Sequence, residues 1–262
     1  MPRIKLKADD LNKQNGNFEH RNLKQPLFLN SIPKSGSHLL RNIMRMFVPL
    51  EQHYQNKFIQ VPSMKEDKVA WDINRPTLSW GHLLLSDDGA VYLKDARIIL
   101  LVRDPYDWVL ARARFFVSDE FEGNLGHLKS GDISMEELMN MMIFGIHMKV
   151  PMMSEIFMHN GAAWLGSKAH VFKFEDLLHN VRNLETDEAE VYFRDLMEKA
   201  GIDGFPSDWR ERVRVGSDRK QSGTARENLT NTAFDFPKEL PDMQKQLVDY
   251  AIPGLRKIMG YE

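Results

Sequence analysis

Leu27-Phe28-Leu29-Asn30-Ser31-Ile32-Pro33-Lys34-Ser35-Gly36-Ser37-His38-Leu39-Leu40 is the stretch whose reading decides the fold. From Pro26 to Ile32 the run is short and mostly apolar, as a buried strand requires, and Pro33 and Gly36 break it. From Ser37 to Phe47 the apolar residues Leu39, Leu40, Ile43, Met44, Met46 and Phe47 recur at mostly helical spacing. A strand therefore runs into a tight loop, and the loop opens a helix. Such a loop turns backbone N–H groups and the positive end of a helix dipole toward an anion. Lys34 adds a full charge, and Ser35 and Ser37 add hydroxyl donors. The loop suits a phosphate, although an ordinary turn before a helix would read the same way. It is not a Walker A loop, because G-x-x-x-x-G-K-[ST] is absent.

The same order returns downstream. Ile98-Ile99-Leu100-Leu101-Val102 is a continuous apolar run, the mark of a strand covered on both faces. Asp104 follows as N-cap, with Pro105 at the first helical position and Asp107 at the third. His170-Val171-Phe172-Lys173-Phe174 is a third strand, followed by Glu175-Asp176-Leu177-Leu178. Strands separated by helices predict an α/β fold: a P-loop-like parallel sheet of about four or five strands with helices on both faces, in a single domain. That domain is expected over 25–262, behind a polar N-terminal arm at 1–24. Residues 186–200 read as an amphipathic helix stopped by Gly201, and 238–259 as a final helical segment interrupted at Pro253. The stretch 204–236, rich in Arg, Ser, Gly and Asn and weakly periodic, is long for a plain connection and reads as functional or disordered.

Composition narrows the classes. Among 262 residues, 35 Lys and Arg stand against 37 Asp and Glu, a net charge of -2, so no nucleic-acid partner is expected and any bound anion is held locally. The absence of cysteine excludes disulfides, thiolate nucleophiles and Cys-ligated metals. No apolar run is long enough to span a membrane, and Met1 to Gln25 lack the apolar centre of a secretory signal, so a soluble, cytoplasmic protein is expected.

Pro33-Lys34-Ser35-Gly36-Ser37-His38-Leu39-Leu40 resembles the 5′-phosphosulfate loop of the sulfotransferases that use 3′-phosphoadenosine 5′-phosphosulfate (PAPS), commonly spelled P-K-S-G-T and often continued H-L-L in bacterial members. Val102-Arg103-Asp104-Pro105-Tyr106-Asp107 is similar to that family's R-D-P-x-D element, and Phe172-Lys173-Phe174-Glu175-Asp176-Leu177 to its Y-E-D-L strand end. Leu255 to Tyr261 ends in Gly-Tyr, as many members do. The four elements stand in the family's order over roughly residues 26–261.

The resemblance implies roles. Lys34 would stabilise charge on the leaving phosphate, while the N–H groups around Ser35, Gly36 and Ser37, with His38 beside them, would hold the 5′-phosphate. Arg103, at the C-terminal end of a buried strand where ligands of open α/β sheets bind, would grip the 3′-phosphate, unless it pairs with Asp107 across the helix start. The serine expected eight residues after this arginine is Ala111; Arg112 and Arg114 stand nearby on a helix, where they are read as solvent-facing. Leu39 replaces a tryptophan of the adenine site, and Phe174 replaces a tyrosine, keeping ring contact with a purine or serving as a core aromatic. Glu175 and Asp176 read as structural. Arg219-Lys220-Gln221-Ser222-Gly223 partly matches the late R-K-G-x-x-G loop; Arg219 and Lys220 are assigned to the 3′-phosphate, Arg226 as substitute, with 204–236 as a lid over the nucleotide. Eight methionines between Met135 and Met158 read as a core helix pair, or as a pliable acceptor wall.

Sulfuryl transfer to an alcohol needs a base, and histidine suits that near neutral pH. Of nine histidines, His82 stands in a Gly-His-Leu context 21 residues before Arg103, close to the family's spacing, and is read as the base. His38 is its rival, and His53 has no motif around it. The resemblance thus implies a PAPS-dependent sulfotransferase acting on a hydroxyl or amine of a small-molecule acceptor. The products would be the sulfated acceptor and adenosine 3′,5′-bisphosphate, with neither metal nor membrane partner. A P-loop kinase using ATP and magnesium, and a non-catalytic nucleotide-binding protein of the same fold, are the alternatives.

Overall fold

The structure, a computed structural model, describes residues 3, 4, 8–119, 121, 122, 125–222 and 234–261. Its strands are β1 (Arg3–Ile4), β2 (Leu27–Ser31), β3 (His53–Ile59), β4 (Leu78–Gly81), β5 (Arg97–Val102), β6 (Phe121–Glu122) and β7 (His170–Lys173). The helices are α1 (Leu11–Asn15), α2 (Ser37–Arg45), α3 (Asp87–Tyr92), α4 (Pro105–Phe116), α5 (Met135–Phe144), α6 (Met153–Asn160), α7 (Phe174–Arg182), α8 (Asp187–Ala200), α9 (Trp209–Ser217), α10 (Asp242–Ala251) and α11 (Leu255–Ile258). The chain divides into two compact units, one of residues 9–102 and 159–222, the other of 1–8, 103–158 and 223–262.

The first unit holds a five-stranded sheet in the order β3-β4-β2-β5-β7, with every pairing parallel. The expected α/β architecture is met. Leu27, Leu29, Ile99, Leu101 and Phe172 point into one core with Leu40, Ile43 and Met44 of α2, Phe193 and Leu196 of α8, and Trp209 and Val213 of α9. The alternate residues Phe28, Ile98, Leu100 and Val102 are equally buried, and Phe28 meets Trp71 edge-on at 5.2 Å. Burial of both faces is why these strands read as unbroken apolar runs. α8 begins on the Thr186 hydroxyl and stops at Gly201, whose φ of 74° is open to glycine at little cost.

Two expectations are corrected here. The polar arm is part of the packing from Asp9 onward. Leu11 and Leu23 are buried in the core of the unit, the Asn15 side chain donates to the carbonyls of Arg45 (2.6 Å) and Val48 (2.9 Å) at the end of α2, and the Arg45 guanidinium grips Asp9 through two bonds of 3.0 and 3.1 Å. The segment is polar because it caps a helix end and pairs a buried cation, which the sequence pattern does not separate from solvent exposure. The lid expectation over 204–236 fails for 209–217, which form α9 with Trp209, Arg212, Val213 and Gly216 buried. Arg212 donates to Asp208 and to the carbonyls of Met46 and Glu19, so its charge is enclosed with partners. Residues 223–233, including Arg226, lie outside the described residues.

In the second unit, β1 and β6 pair antiparallel. Trp108 of α4 meets Phe157 of α6 edge-on at 5.1 Å. Asp104 caps α4 by accepting from the Tyr106 N–H and forms a salt bridge of 2.8 Å with Arg256 of α11. Of the methionines, Met139, Met142 and Met153 are fully buried while Met148 is 93% exposed, so this group is only partly core.

α9 lies against α2 so closely that a Cβ on Gly216 would come 2.5 Å from Ile43 Cα and 2.7 Å from Asn42 O. Gly216→Ala is therefore expected to cost about 1–3 kcal/mol through overpacking, lowering the thermal midpoint by about 2–10 °C. An unchanged midpoint in a thermal melt would contradict this contact.

Candidate active site

The site is built on the end of β2, the middle strand of the sheet. β2 pairs with β4 from Leu27–Leu78 to Asn30–Gly81 and with β5 from Leu27–Arg97 to Ser31–Leu101. One more bond, Ile32 N–H to Leu101 O (3.1 Å), carries the ladder past the strand end, and Ser35 N–H then turns back to Ile32 O (3.1 Å). Lys34 and Gly36 both adopt left-handed backbone, at φ 70° and 87°. That conformation is easy for glycine and costly for lysine, so the loop holds Lys34 in strained geometry. Gly36 is the N-cap of α2 and no side chain caps the helix, which leaves the first-turn N–H groups as anion donors. The glycine is required on a second ground: a Cβ here would come 2.3 Å from Cδ2 of Phe174. The Ser35 hydroxyl is buried with no hydrogen-bond partner among the described residues, a polar group that the loop itself does not satisfy. These features fit a phosphate-bearing ligand.

His82 follows the last residue of β4. Its Nδ1 lies 2.9 Å from the Ser31 carbonyl and 3.0 Å from Ser31 Oγ. A carbonyl only accepts, so Nδ1 carries the proton and Nε2 keeps its lone pair. Burial first, then the charge of Lys34, push the His82 pKa down from 6.5 to about 3, so the ring is neutral at physiological pH. Its face is closed by Phe58, edge-on at 4.8 Å. Phe58 and His38 also flank Trp80, at 4.9 and 5.0 Å. His53 stands at the opposite end of the sheet, paired in register with Leu78, and its Nε2–H donates to Val48 O at 2.9 Å.

Lys34, Ser35, Gly36, Ser37, His38, His82 and Phe174 thus belong to one unit and follow the C-terminal ends of β2, β4 and β7 of its sheet. Phe174 is half-buried with its ring against Gly36 and the core, and Glu175 and Asp176 lie in the first turn of α7. Arg219 and Lys220 are exposed on a short turn after α9, tied to α2 by the Asn42 side chain donating to Gln221 O. Arg103 directly follows Val102 of β5 and opens the other unit. There, Ala111 is buried, and Arg112 is not solvent-facing as expected: it is 4% exposed and donates to the carbonyls of Met142 and Pro151, both at 2.9 Å. Arg114 donates to Pro237 O. Those carbonyls spend the guanidinium of Arg112 on packing. Sequence reading gave Ser31 no role; a polar pair, Asn30-Ser31, inside an apolar strand was the signal. A cavity of about 530 Å³ in the same unit, bounded by His20, Phe47, Phe205 and Arg212, includes none of the expected site residues. Among the described residues no cluster could hold a metal ion, and no helix is long and apolar enough to cross a membrane.

No protein-family model matches the chain. No curated protein matches it either. Among solved structures, mouse sulfotransferase SULT7A1 complexed with PAP aligns over 96% of this chain and 91% of its own, with a TM-score of 0.54 and 14% identity. Retinol dehydratase in complex with androsterone and inactive cofactor PAP aligns over 90% and 82% at 13% identity, with a TM-score of 0.48. The first likeness shows the fold: the chain shares the architecture of that sulfotransferase.

The depressed pKa of His82 has a readable sign. Below 6.5 an unfolded chain protonates this histidine while the folded one does not, so its contribution to stability falls as pH drops below 6.5. The ¹⁵N signals of His82 are expected to stay at neutral values from about pH 8 to about pH 5. A titration midpoint near 6.5 would contradict the enclosure described here.

Proposed function

We propose that the chain transfers the sulfuryl group of PAPS to a hydroxyl or amine of a small-molecule acceptor. The observation that carries this reading is a neutral His82 with its Nδ1 proton held by Ser31, at the end of the strand whose loop bears Lys34. Bound PAPS supplies the activated sulfuryl group. The N–H groups of Gly36 and Ser37, with the Ser35 hydroxyl, hold the 5′-phosphate, and Lys34 stabilises the charge that grows on it as the bond from sulfur to the bridging oxygen breaks. Nε2 of His82 takes the proton of an attacking hydroxyl as its oxygen bonds to sulfur. By the resemblance, Arg103, directly after β5, is assigned to the 3′-phosphate, as are Arg219 and Lys220, and Phe174 is assigned to the purine.

A kinase using ATP and magnesium is not favoured, because the loop lacks the Walker A lysine–serine pair that places phosphates and metal. Adenosine 3′,5′-bisphosphate is therefore expected to raise the thermal midpoint more than ATP with magnesium does. Labelled PAPS should transfer its sulfur to members of a panel of alcohols, phenols and amines. Lys34→Ala should lower turnover by about 100- to 1,000-fold while changing the affinity for adenosine 3′,5′-bisphosphate far less, since the lysine acts on the departing charge. Equal losses in turnover and affinity would remove the role given to Lys34. Stabilisation by ATP alone would remove the sulfotransferase reading.

A further inference from the structure

We propose that Asn30 is a positioning residue for His82, an inference that rests on reading His82 as the base. Asn30 is fully buried in the middle strand, where an apolar side chain would be cheaper to enclose. Its amide is spent on one peptide neighbour. Oδ1 accepts from the Leu83 N–H at 2.9 Å, and Nδ2 donates to the Leu83 carbonyl at 3.1 Å. Trp164 Nε1 adds a second donor to the same carbonyl at 3.1 Å.

The reason lies in the ladder. Asn30–Gly81 is the last register pair between β2 and β4, and β4 ends at Gly81. Leu83 lies two residues on and is completely buried, so without Asn30 its N–H would be orphaned beyond the strand end and its C=O left to Trp164 alone. The Asn30 side chain supplies one acceptor and one donor, as another residue of backbone would. His82 is then fixed from both flanks. Before it, Gly81 is locked in the sheet, where a Cβ would come 2.0 Å from Ile59 O. After it, Leu83 is clamped by Asn30. Only the side-chain torsions of His82 remain, and the Ser31 carbonyl fixes those through Nδ1. Consecutive residues of β2 thus set the backbone and the tautomer of the base, just ahead of the loop that carries Lys34.

The test is Asn30→Leu, which keeps the branched heavy-atom skeleton and removes both bonds. Turnover is expected to fall about 10- to 100-fold, the scale of a misplaced catalytic group, with the affinity for adenosine 3′,5′-bisphosphate within about twofold. The His82 ¹⁵N spectrum should pass from a single Nδ1–H tautomer to a mixture of both. In a His82→Ala background, Asn30→Leu should bring no further loss, because it acts through that ring. A lower thermal midpoint with unchanged turnover and an unchanged His82 spectrum would overturn the proposal, as would full additivity with His82→Ala. Should Asn30→Leu fail to fold, the wild-type chain decides: the Leu83 amide is expected to exchange as slowly as the ladder amides of β2, and exchange at an unstructured rate overturns the clamp. The spectrum and the exchange rate need no turnover. A chain that transfers no sulfuryl group would therefore sink the sulfotransferase reading and still test Asn30.

Discussion

β2 is hydrogen-bonded along both edges, to β4 on one side and β5 on the other, and the candidate site is arranged about its C-terminal end. A strand held this way cannot slip by one residue without turning Leu27 and Leu29 out of the core. The turn that follows is therefore fixed in space, and with it the left-handed backbone of Lys34 and Gly36 and the uncapped start of α2. α2 is held in turn from behind. Asn15 caps its last carbonyls, Asp9 pairs Arg45, and α9 closes against it at Gly216. The strain stored in the loop persists because these contacts over-determine it.

The same strand couples two groups that would otherwise oppose each other. Burial disfavours the imidazolium, and the ammonium of Lys34 disfavours it further, so His82 stays neutral. A neutral ring can accept a proton, whereas a protonated one would repel the lysine and have no lone pair to offer. Bound anionic phosphate would offset the charge of Lys34 and ease protonation of His82 during the reaction. On the proposed function, the ligand charge, Lys34 and His82 would form one electrostatic unit set by the end of β2.

β2 and β5 were legible because they are buried on both faces, and the Arg97–Phe116 segment shows it most plainly: an apolar run, then Asp104, Pro105 and a helix at the expected places. β3 was not legible, since His53–Ile59 is largely polar and its pairing with β4 shifts register between His53 and Phe58. α9 was missed although Trp209, Val213 and Gly216 recur at helical spacing, because buried Arg212 and Gly216 do not look like core residues. In the site, Lys34, Gly36 and His82 stood out by their motifs. Asn30 and Ser31 did not, because their work is to satisfy Leu83 and His82 across a strand pair, a relation that depends on register and leaves no local pattern. The burial of Arg112 was hidden for a like reason: its partners are backbone carbonyls of Met142 and Pro151, distant in sequence.

The central claim is that the loop after β2 receives the 5′-phosphate of an adenosine nucleotide beneath a neutral His82. A crystal structure with adenosine 3′,5′-bisphosphate tests it most directly. The 5′-phosphate is expected on the N–H groups of Gly36 and Ser37 and the Ser35 hydroxyl with the Lys34 ammonium against it, and His82 still donating from Nδ1 to Ser31 with Nε2 turned toward the phosphate. A nucleotide seated elsewhere, such as in the cavity bounded by His20, Phe47, Phe205 and Arg212, or a His82 ring turned away from the loop, would contradict it.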